Sequence, residues 1–301
     1  MRSKSFSGSE GRAAGPSPGV KLDPGLYLVS VPIGNLADIT LRALTVLRDA
    51  DVVACEDSRV TRRLLSAHGI SQRLTAYHEH NAAKVRPKLI ERLKGGEAVA
   101  LVSDAGTPLI SDPGYKLVRA VVAAELPVIP VPGPSAVLAA LLLSGLPSDR
   151  FFFAGFLPPR TGARRRALQD LAGIGATLLF FEAPQRLADC LADMAETLGP
   201  GREAAVLREL TKLHEEARRG PLAELAEDYA ARALPPKGEL VIAVAPARAA
   251  EVPDEEVDQR LMTALESQSL RNAVDEVAAA TGRPRRLVYS RAVALSRDRD
   301  G

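Results

Sequence analysis

The sequence contains no tryptophan, only two cysteines among 301 residues, and no strong excess of charge of either sign. Cys55 and Cys190 are far apart and belong to no CxxC or Cys/His pattern, which argues against a zinc site and against a disulfide framework. This cysteine usage is typical of a reducing, cytoplasmic environment. Because 39 Lys and Arg face 37 Asp and Glu, any polyanion would have to be bound by local basic clusters rather than by the charge of the whole chain.

Long hydrophobic runs are also absent. The most apolar stretch, residues 136–143, is far shorter than the roughly 20 residues that a membrane-spanning helix requires. No charged and then apolar leader opens the chain. Residues 1–21 are rich in Ser, Gly, Arg and Pro and predict a disordered leader. We therefore expect a soluble, cytoplasmic protein with no membrane partner.

Apolar stretches of strand length alternate with stretches of helical length along most of the chain. This alternation predicts an α/β fold with a mostly parallel sheet over residues 22–147. Within its first helix, Leu41, Leu44 and Leu47 recur every three residues and predict a buried stripe. A second α/β domain with more mixed strands is expected over residues 148–247, after a proline interrupts the pattern.

The last part of the chain has a different character. An Ala-rich, charged stretch follows residue 246 and indicates a linker. Residues 257–297 predict a small helical module, with one helix over residues 270–280, a Thr-Gly turn and a second helix that begins near Pro284. We therefore expect a helix-turn-helix shape after a body of two α/β domains.

Nucleotide-phosphate motifs are missing from the predicted strand ends. No GxGxxG follows the first strand, where VPIGNLADIT stands instead. The GPSPGVK of the leader is not a GxxxxGK[ST] motif and does not follow a strand. These absences argue against a dinucleotide or a nucleoside triphosphate as the ligand.

Three predicted strands end in short loops of Gly, Pro and small residues without Lys or Arg. They are PIGN at 32–35, DAGTP at 104–108 and PGPSA at 132–136. Such loops bring backbone amides and carbonyls close to a flat ligand, and Asp104 adds a negative charge. This favours a cationic ligand, and S-adenosylmethionine, with its sulfonium and adenine, meets the description. Each loop alone is typical of an ordinary turn, but three at successive strand ends favour a site.

Several segments carry a resemblance to a known family. They are, in chain order over residues 22–245, LYLVSVPIGNLADITLRALTVLRDADVVACEDSRVTRRLL, YHEHN, LVSDAGTPLISDPG, VPGPSAVLAALLLSGLPSDRFFFAGFLP, FFEAPQRL and RELTKLHEE. The chain resembles the RsmI family of bacterial 16S ribosomal RNA cytidine 2′-O-methyltransferases, which belongs to the tetrapyrrole-methylase-like class, and the helical tail also matches. The resemblance implies a two-domain enzyme, usually a homodimer, with S-adenosylmethionine bound between its domains. It further implies methylation of the ribose 2′-oxygen of a cytidine in the decoding centre of the small ribosomal subunit.

The resemblance also implies which residues line the cofactor. They are Pro32, Gly34, Asn35, Ser103, Asp104, Ala105, Gly106, Thr107, Ser135 and Ala136 from the first domain, and Phe181, Glu182, Glu239 and Leu240 from the second. Tetrapyrrole enzymes of this class typically have a Gly-Asp-Pro turn where this chain has Ser103-Asp104-Ala105. That difference argues against a corrinoid substrate.

Methyl transfer to a ribose hydroxyl needs aligned reacting atoms and a base for the proton, but no metal ion. Candidates for the base are polar residues of two motifs together with Glu182: His78, Glu79, His80 and Asn81, and Glu209, Lys212, His214 and Glu215. We predict that Glu79 or Lys212 orients or deprotonates the hydroxyl. The histidines are better explained as groups that hydrogen-bond the backbone and cap the following helix, and no third ligand accompanies them for a metal ion.

Basic residues form three clusters on this nearly neutral chain. They are Arg59, Arg62 and Arg63; Arg160, Arg164, Arg165 and Arg166; and Arg283, Arg285 and Arg286. One such cluster is usually a solvated face, but three together predict a surface that binds the phosphates of 16S ribosomal RNA in the small subunit. Because aromatic residues make up only 4% of the chain, base stacking is limited to residues such as Tyr77 or Phe156.

Two other interpretations stay open at this point. One is a small-molecule methyltransferase of the tetrapyrrole type, and the other is a nonenzymatic RNA-binding module that uses the tail. The basic clusters and the tail argue against the first interpretation, and the intact loops at 32–35, 104–107 and 135–136 argue against the second.

Overall fold

The computed structural model describes residues 21–247 and 253–299. The predicted disordered leader lies outside these ranges except for Lys21, as do residues 248–252 of the predicted linker. Within the described ranges the chain forms two five-stranded sheets followed by three C-terminal helices. The predicted class, two α/β domains with a small helical module, is confirmed.

The first sheet is built from alternating strands and helices. They are β1 (Gly25–Val29), α1 (Leu41–Asp49), β2 (Val52–Cys55), α2 (Ser58–Ala67), β3 (Leu74–Ala76), α3 (Ala82–Lys94), β4 (Ala98–Val102), α4 (Tyr115–Ala123), β5 (Val128–Val131) and α5 (Ala136–Ser144). The strands pair in the order β3-β2-β4-β1-β5 and all pairs are parallel, as predicted. Strands β2 and β4 are buried throughout because the sheet is covered on both faces. The strand order reverses between β4 and β1, where α/β sheets bind ligands beyond the strand ends.

The second sheet is mixed, as the sequence indicated. Its elements are β6 (Phe151–Phe156), α6 (Thr161–Leu171), β7 (Thr177–Glu182), α7 (Leu187–Leu198), β8 (Glu203–Arg208), β9 (Glu216–Pro221), α8 (Leu222–Ala230) and β10 (Leu240–Val244). The order is β6-β7-β10-β8-β9, with β6 parallel to β7 and the other pairs antiparallel. Strand β9 was not predicted, because its sequence EARRGP lacks apolar alternation; it is an edge strand that pairs with β8.

Helix α5 joins the two sheets. It is apolar on all sides, and Val137, Ala140 and Leu141 are buried in one cluster with residues of β8 and β10. Ile33, from the loop after β1, belongs to the same cluster. The helix follows the first sheet in the chain but packs on the second, so its burial sets the position of the cleft between them. Gly145 ends it with a φ of +75°.

The buried face of α1 differs from the predicted stripe. Ala43, Val46 and Leu47 are buried, whereas Leu41 is 83% exposed. Thr40 is the N-cap residue, and its hydroxyl accepts a hydrogen bond from the N–H of Ala43 at 3.1 Å. The helix therefore begins at Leu41, whose side chain extends from the first turn into solvent.

The C-terminal module consists of α9 (Asp254–Leu265), α10 (Leu270–Thr281) and α11 (Arg285–Arg299). Helices α10 and α11 correspond to the predicted helix-turn-helix, with Gly282 at a φ of +66° between them. Helix α9 begins before residue 257, since the acidic residues of its first turn stabilise a helix N-terminus. The predicted domain limits at 22–147, 148–247 and 257–297 stay predictions.

The three helices of the module enclose a core of their own, which includes Val257, Leu261, Val274 and Val288. In the described part of the chain no helix has both the length and the apolar character that crossing a bilayer would require.

Candidate active site between the two sheets

The three small-residue loops lie side by side at the carboxyl ends of their strands. Val31 and Gly106 form a bridge between the loops after β1 and β4, with N–H to carbonyl distances of 2.9 and 3.0 Å. The Thr107 hydroxyl donates to the carbonyl of Pro134 at 3.1 Å, which ties the loop after β4 to the loop after β5. The Ser30 hydroxyl lies 3.2 Å from that of Thr107. The three loops thus form one continuous wall.

Gly106 is required in this wall on two grounds. Its φ is +70°, a conformation that residues with a side chain rarely adopt. A Cβ atom at this position would lie 3.2 Å from Cγ2 of Ile33. The absence of a side chain therefore permits the close approach of two loops.

A cavity of about 500 Å³ opens between this wall and the second sheet. We call it the cofactor cavity, because most of the residues that the resemblance assigned to the cofactor line it. They are Asp104, Ala105, Gly106, Thr107, Ser135, Ala136, Phe181, Glu182, Glu239 and Leu240. Its volume is of the size that a small organic cofactor occupies.

Pro32, Gly34 and Ser103 line a second, larger space of about 1,200 Å³ beside the cofactor cavity, which we call the groove. Ser103 also shapes its own loop, because its buried hydroxyl donates to the carbonyl of Ala105 at 3.0 Å. Asn35 lines neither space. Its Oδ1 accepts the N–H of Ala37 at 3.1 Å and caps a short 3₁₀ turn, so its cofactor role stays a prediction.

The second sheet contributes aromatic rings to the cofactor cavity. Phe156 and Phe181 line it with ring centroids 5.6 Å apart, and Phe153 also packs against Phe181, at 4.8 Å. In a regular strand, residues three positions apart face opposite sides. The pairing of β6 with β7 shifts register between Phe153 and Gly155, and this bulge brings both rings to the same partner. Phe156 remains 55% exposed and is available to a planar ligand.

Three of the carboxylates that line this cavity come from the first domain: Glu56 follows β2, Asp104 follows β4, and Asp112 lies in the loop before α4. The Oδ1 atom of Asp104 accepts the N–H of Asp57 at 2.9 Å, which ties the ends of β2 and β4 together. Sequence reasoning named only Asp104. Glu56 could have been found from its position directly after β2, the strand that neighbours β4 in the sheet.

Burial and mutual repulsion perturb two of these carboxylates. Burial first and then the Glu56 carboxylate raise the pKa of Asp112 to about 6, against a hydrogen bond with Ser103 that lowers it. Burial and then Asp104 raise the pKa of Glu56. A positive charge bound nearby would therefore stabilise the ionised form of both carboxylates.

The cofactor cavity fits S-adenosylmethionine by its chemistry. Phe156, Phe181 and Ile110 suit an adenine ring, and the carboxylates suit a sulfonium. Among the described residues that line the cavity there is no Lys or Arg, so the charge of a phosphate would stay unpaired there.

Lys212 lies in the loop between β8 and β9 and reaches the loop after β1. A Cβ atom on Gly34 would lie 2.3 Å from its Cγ, so the two residues are in close contact. Its ammonium donates to Oε1 of Glu209 at 2.8 Å and to Oε2 of Glu239 at 3.1 Å. Burial disfavours the charge, but these hydrogen bonds prevail and raise the pKa of Lys212. The structure thus presents a cation at the groove, which argues against Lys212 as a base.

Glu79 is exposed and lines neither the cofactor cavity nor the groove. Its neighbour Asn81 orders the YHEHN loop: its Oδ1 accepts the N–H of His78 at 3.0 Å and its amide donates to the carbonyl of Ala76 at 3.0 Å. Tyr77 is only 1% exposed, so the expectation that it stacks on a base is wrong. The described contacts of the YHEHN loop therefore mainly hold its own backbone in place.

The first arginine cluster lies on the groove. Arg59, Arg62 and Arg63 of α2 line it together with Lys212. Arg59 is paired with Asp57, with Nη2 and Oδ2 at 2.6 Å. Arg62 and Arg63 are exposed and form no ion pair with another described residue. These two side chains are therefore available to a polyanion.

The second cluster requires a correction at Arg164. This residue is 2% exposed and its guanidinium lies 2.5 Å from the Asp193 carboxylate, so it is an internal ion pair and not an RNA contact. Arg165 binds the other oxygen of Asp193 at 2.7 Å and also Glu196. Arg160 and Arg166 remain exposed.

The third cluster is largely paired within the C-terminal module. Arg283 contacts Asp254, and Arg285 contacts Asp275. Arg286 is exposed. An RNA role for this cluster would require some of these pairs to exchange partners.

Comparison with known proteins agrees with this geometry. A model of the family described as Tetrapyrrole (Corrin/Porphyrin) Methylases matches residues 25–226, and one described as RsmI C-terminal HTH domain matches residues 251–296. The chain is 54% identical over 278 residues to ribosomal RNA small subunit methyltransferase I of Mesorhizobium japonicum, covering 92% of this chain and 94% of that protein.

Solved structures show the same fold. A uroporphyrin-III C-methyltransferase from Thermus thermophilus is 26% identical with a TM-score of 0.53, over 74% of this chain and 94% of that one. A structure of such an enzyme from the same organism in complex with S-adenosylhomocysteine gives 21% identity and a TM-score of 0.51, over 73% of this chain and 96% of that one. The chain therefore belongs to the ribosomal RNA small subunit methyltransferase I family within the tetrapyrrole methylases.

Proposed function

We propose that the protein transfers the methyl group of S-adenosylmethionine to the ribose 2′-oxygen of a cytidine in the 16S ribosomal RNA of the small subunit. One observation carries this proposal: the cofactor cavity and the arginine-lined groove adjoin and share Ile33, Asp104, Ala105 and Glu239. A bound cofactor and an RNA strand would therefore meet at this junction. Because the substrate is the ribosomal subunit, a cytoplasmic location is part of the proposal.

S-adenosylmethionine supplies a methyl group that is activated by the sulfonium charge. The protein then has to hold the hydroxyl in line, and alignment of this kind contributes roughly 7–11 kcal/mol to lowering the barrier. Lys212 is placed for such a task, since two of its three N–H groups bind Glu209 and Glu239 and the third is left for the substrate. Glu209 and Thr211 hold the loop in an unusual backbone conformation, with φ of 53° and 64°.

The reaction is tested with labelled S-adenosylmethionine and 30S subunits from a strain that lacks the modification. We expect label in one 2′-O-methylcytidine, mapped by nuclease digestion and mass spectrometry. Label on a nucleobase, or transfer to a tetrapyrrole with none to 30S subunits, would contradict the proposal.

Replacing Lys212 by Met is expected to lower the single-turnover rate on saturating 30S subunits by about 10²-fold, the size typical of losing one well-placed donor. Cofactor affinity should not fall, because Lys212 lines the groove and not the cofactor cavity, and its loss only leaves the cavity-lining Glu239 carboxylate without its cation. The matched control is Lys237→Met, since Lys237 is exposed and lines neither space. An unchanged Lys212→Met rate would remove this residue from the mechanism.

We also propose that the protein is a homodimer formed through the free face of α5. Leu138 and Leu142 lie one helical turn apart and are 50% and 80% exposed, and Leu41 adds a third exposed leucine. Thr40 and Ala139 line one shallow depression, so the start of α1 lies near α5. Exposed apolar side chains grouped on one helix face in this way favour an interface.

Replacing Leu142 by Glu should convert the dimer to a monomer, because it places a charge in the apolar contact. The measurement is size-exclusion chromatography with light scattering. Leu234→Glu is the control, since Leu234 is similarly exposed, at 78%, but belongs to neither α1 nor α5. A dimeric Leu142→Glu protein would show that the copies meet elsewhere.

A further inference from the structure

The negative charge of the cofactor cavity is unevenly compensated. Glu182 is paired with Arg186 at 2.5 Å, and Glu239 with Lys212 at 3.1 Å. Glu56 and Asp112, in contrast, form no ion pair with any described residue, and Asp104 accepts only a backbone N–H. The side of the cavity that the first sheet provides therefore carries carboxylates without a matching cation.

The surroundings of Asp112 explain why this charge matters. Glu56 and Asp104 face it from the ends of β2 and β4, and the Ser103 hydroxyl lies beside it. Glu56 is in turn faced by Asp57, His78 and Glu79. Asp57 is already paired with Arg59, so it does not supply a cation to the cluster. In a partly buried site, one added positive charge interacts with such carboxylates far more strongly than in water.

The cluster is not arranged for a metal ion. In the described part of the chain, no group of three or more His, Cys, Asp or Glu side chains has the arrangement that holds one. An organic cation is therefore the matching partner, and the donor bound in this cavity has one. Its sulfonium is positive, whereas the demethylated product has the same adenosine and amino-acid parts with a neutral thioether.

We propose that Asp112, supported by Glu56, determines the preference of the cavity for the charged methyl donor over its neutral product. The inference rests on the proposed location of the cofactor in this cavity. When the methyl group leaves, the charge that Asp112 and Glu56 attract disappears, and the product loses part of its binding energy. Asp112 thus promotes product exchange without touching the acceptor.

The preference should depend on pH. The pKa of Asp112 is raised to about 6 in the free cavity, mainly by burial. At a pH below this value the carboxyl is neutral and attracts no cation; above it the carboxylate is charged and affinity for the donor rises. The product carries no sulfonium, so its affinity for the cavity should change much less with pH. His78 and Glu79 also face Glu56, so the Asp112 variant is needed to assign the pH dependence to Asp112.

The test is isothermal titration calorimetry of the full-length chain with S-adenosylmethionine and, separately, S-adenosylhomocysteine at pH 5 and pH 8. For the unchanged protein we expect the ratio of product Kd to donor Kd to rise about tenfold between these pH values, the order of effect of one partly buried charge. For Asp112→Asn the ratio should be lower at pH 8 and nearly constant. Asp170→Asn, at an exposed position on α6, is the control and should behave like the unchanged protein.

The outcomes separate this inference from the proposed function. If Asp112→Asn weakens donor and product equally, the residue only shapes its loop and the inference is wrong. Glu56→Gln provides a second variant, in which we expect a smaller loss of the same preference, and an unchanged preference in both variants also overturns it. Binding of neither compound to the unchanged protein would instead overturn the cofactor location on which the proposed function depends.

Discussion

Replacement of Asp193 by Asn is expected to lower the free energy of unfolding by about 3–5 kcal/mol, the cost of leaving a buried charge without its partner. The Asp193 and Arg164 side chains are 4% and 3% exposed. Once the negative charge is gone, the Arg164 guanidinium has no anionic partner, because its other contacts are to the carbonyl of Pro159 at 3.4 Å and the Thr161 hydroxyl at 3.5 Å. Urea denaturation followed by circular dichroism measures the loss.

Two variants make this result specific. Glu196→Gln removes the exposed partner of Arg165 and should cost about 1 kcal/mol or less, as exposed pairs do. Arg164→Met combined with Asp193→Leu replaces the whole pair by apolar groups and should recover most of the stability that Asp193→Asn loses. A loss below about 1 kcal/mol in Asp193→Asn would show that the pair is not the internal charge pair described above.

Replacement of both Arg62 and Arg63 by Ala is expected to weaken binding of 30S subunits by about tenfold or more. Both side chains line the groove and are exposed, so each can neutralise a phosphate. Removing two phosphate contacts to a single strand should reduce the slope of log K against log salt by about 1.4. Filter binding at several salt concentrations gives both quantities.

Arg232→Ala combined with Arg260→Ala is the matched control. It changes the net charge by the same amount. Arg232 is paired with Asp228 and Arg260 with Glu256, each four residues earlier in the chain, and neither arginine lines the groove. The control should keep the salt slope of the unchanged protein. Equal slopes for both double variants would mean that RNA binds to another surface.

The strands and helices could be predicted wherever the apolar residues of a segment recur at the spacing of that element. The apolar stretches at 128–131 and 240–244 predict strands from their own sequence, and β5 and β10 have these same bounds. Strand β9 could not be predicted, because its pairing with β8, and not its own apolar pattern, makes it a strand. The exposure of Leu41 could not be predicted from leucine spacing either. The N-cap at Thr40 decides where the helix begins, and this places Leu41 in its first turn.

The site was predictable in part because the carboxyl ends of neighbouring strands must meet. That rule predicts from the sequence alone that the loops after β1, β4 and β5 lie together. Glu56 and Asp112 were missed, because their significance depends on which acids have a cation beside them in space. The same limitation applies to Arg164: its neighbours in the sequence are basic, whereas its partner Asp193 lies 29 residues away.

The separate core of the C-terminal module bears on how such a chain can arise. Within the described residues, the cluster around Val257, Leu261 and Val274 includes no residue of either sheet. The Thermus thermophilus enzyme is matched over 94% of its length by only 74% of this chain. A unit that satisfies its own packing can be joined to the two-sheet body between β10 and α9 with neither interior rebuilt. Such a module can be gained or lost as a whole without a change in the interior of either sheet.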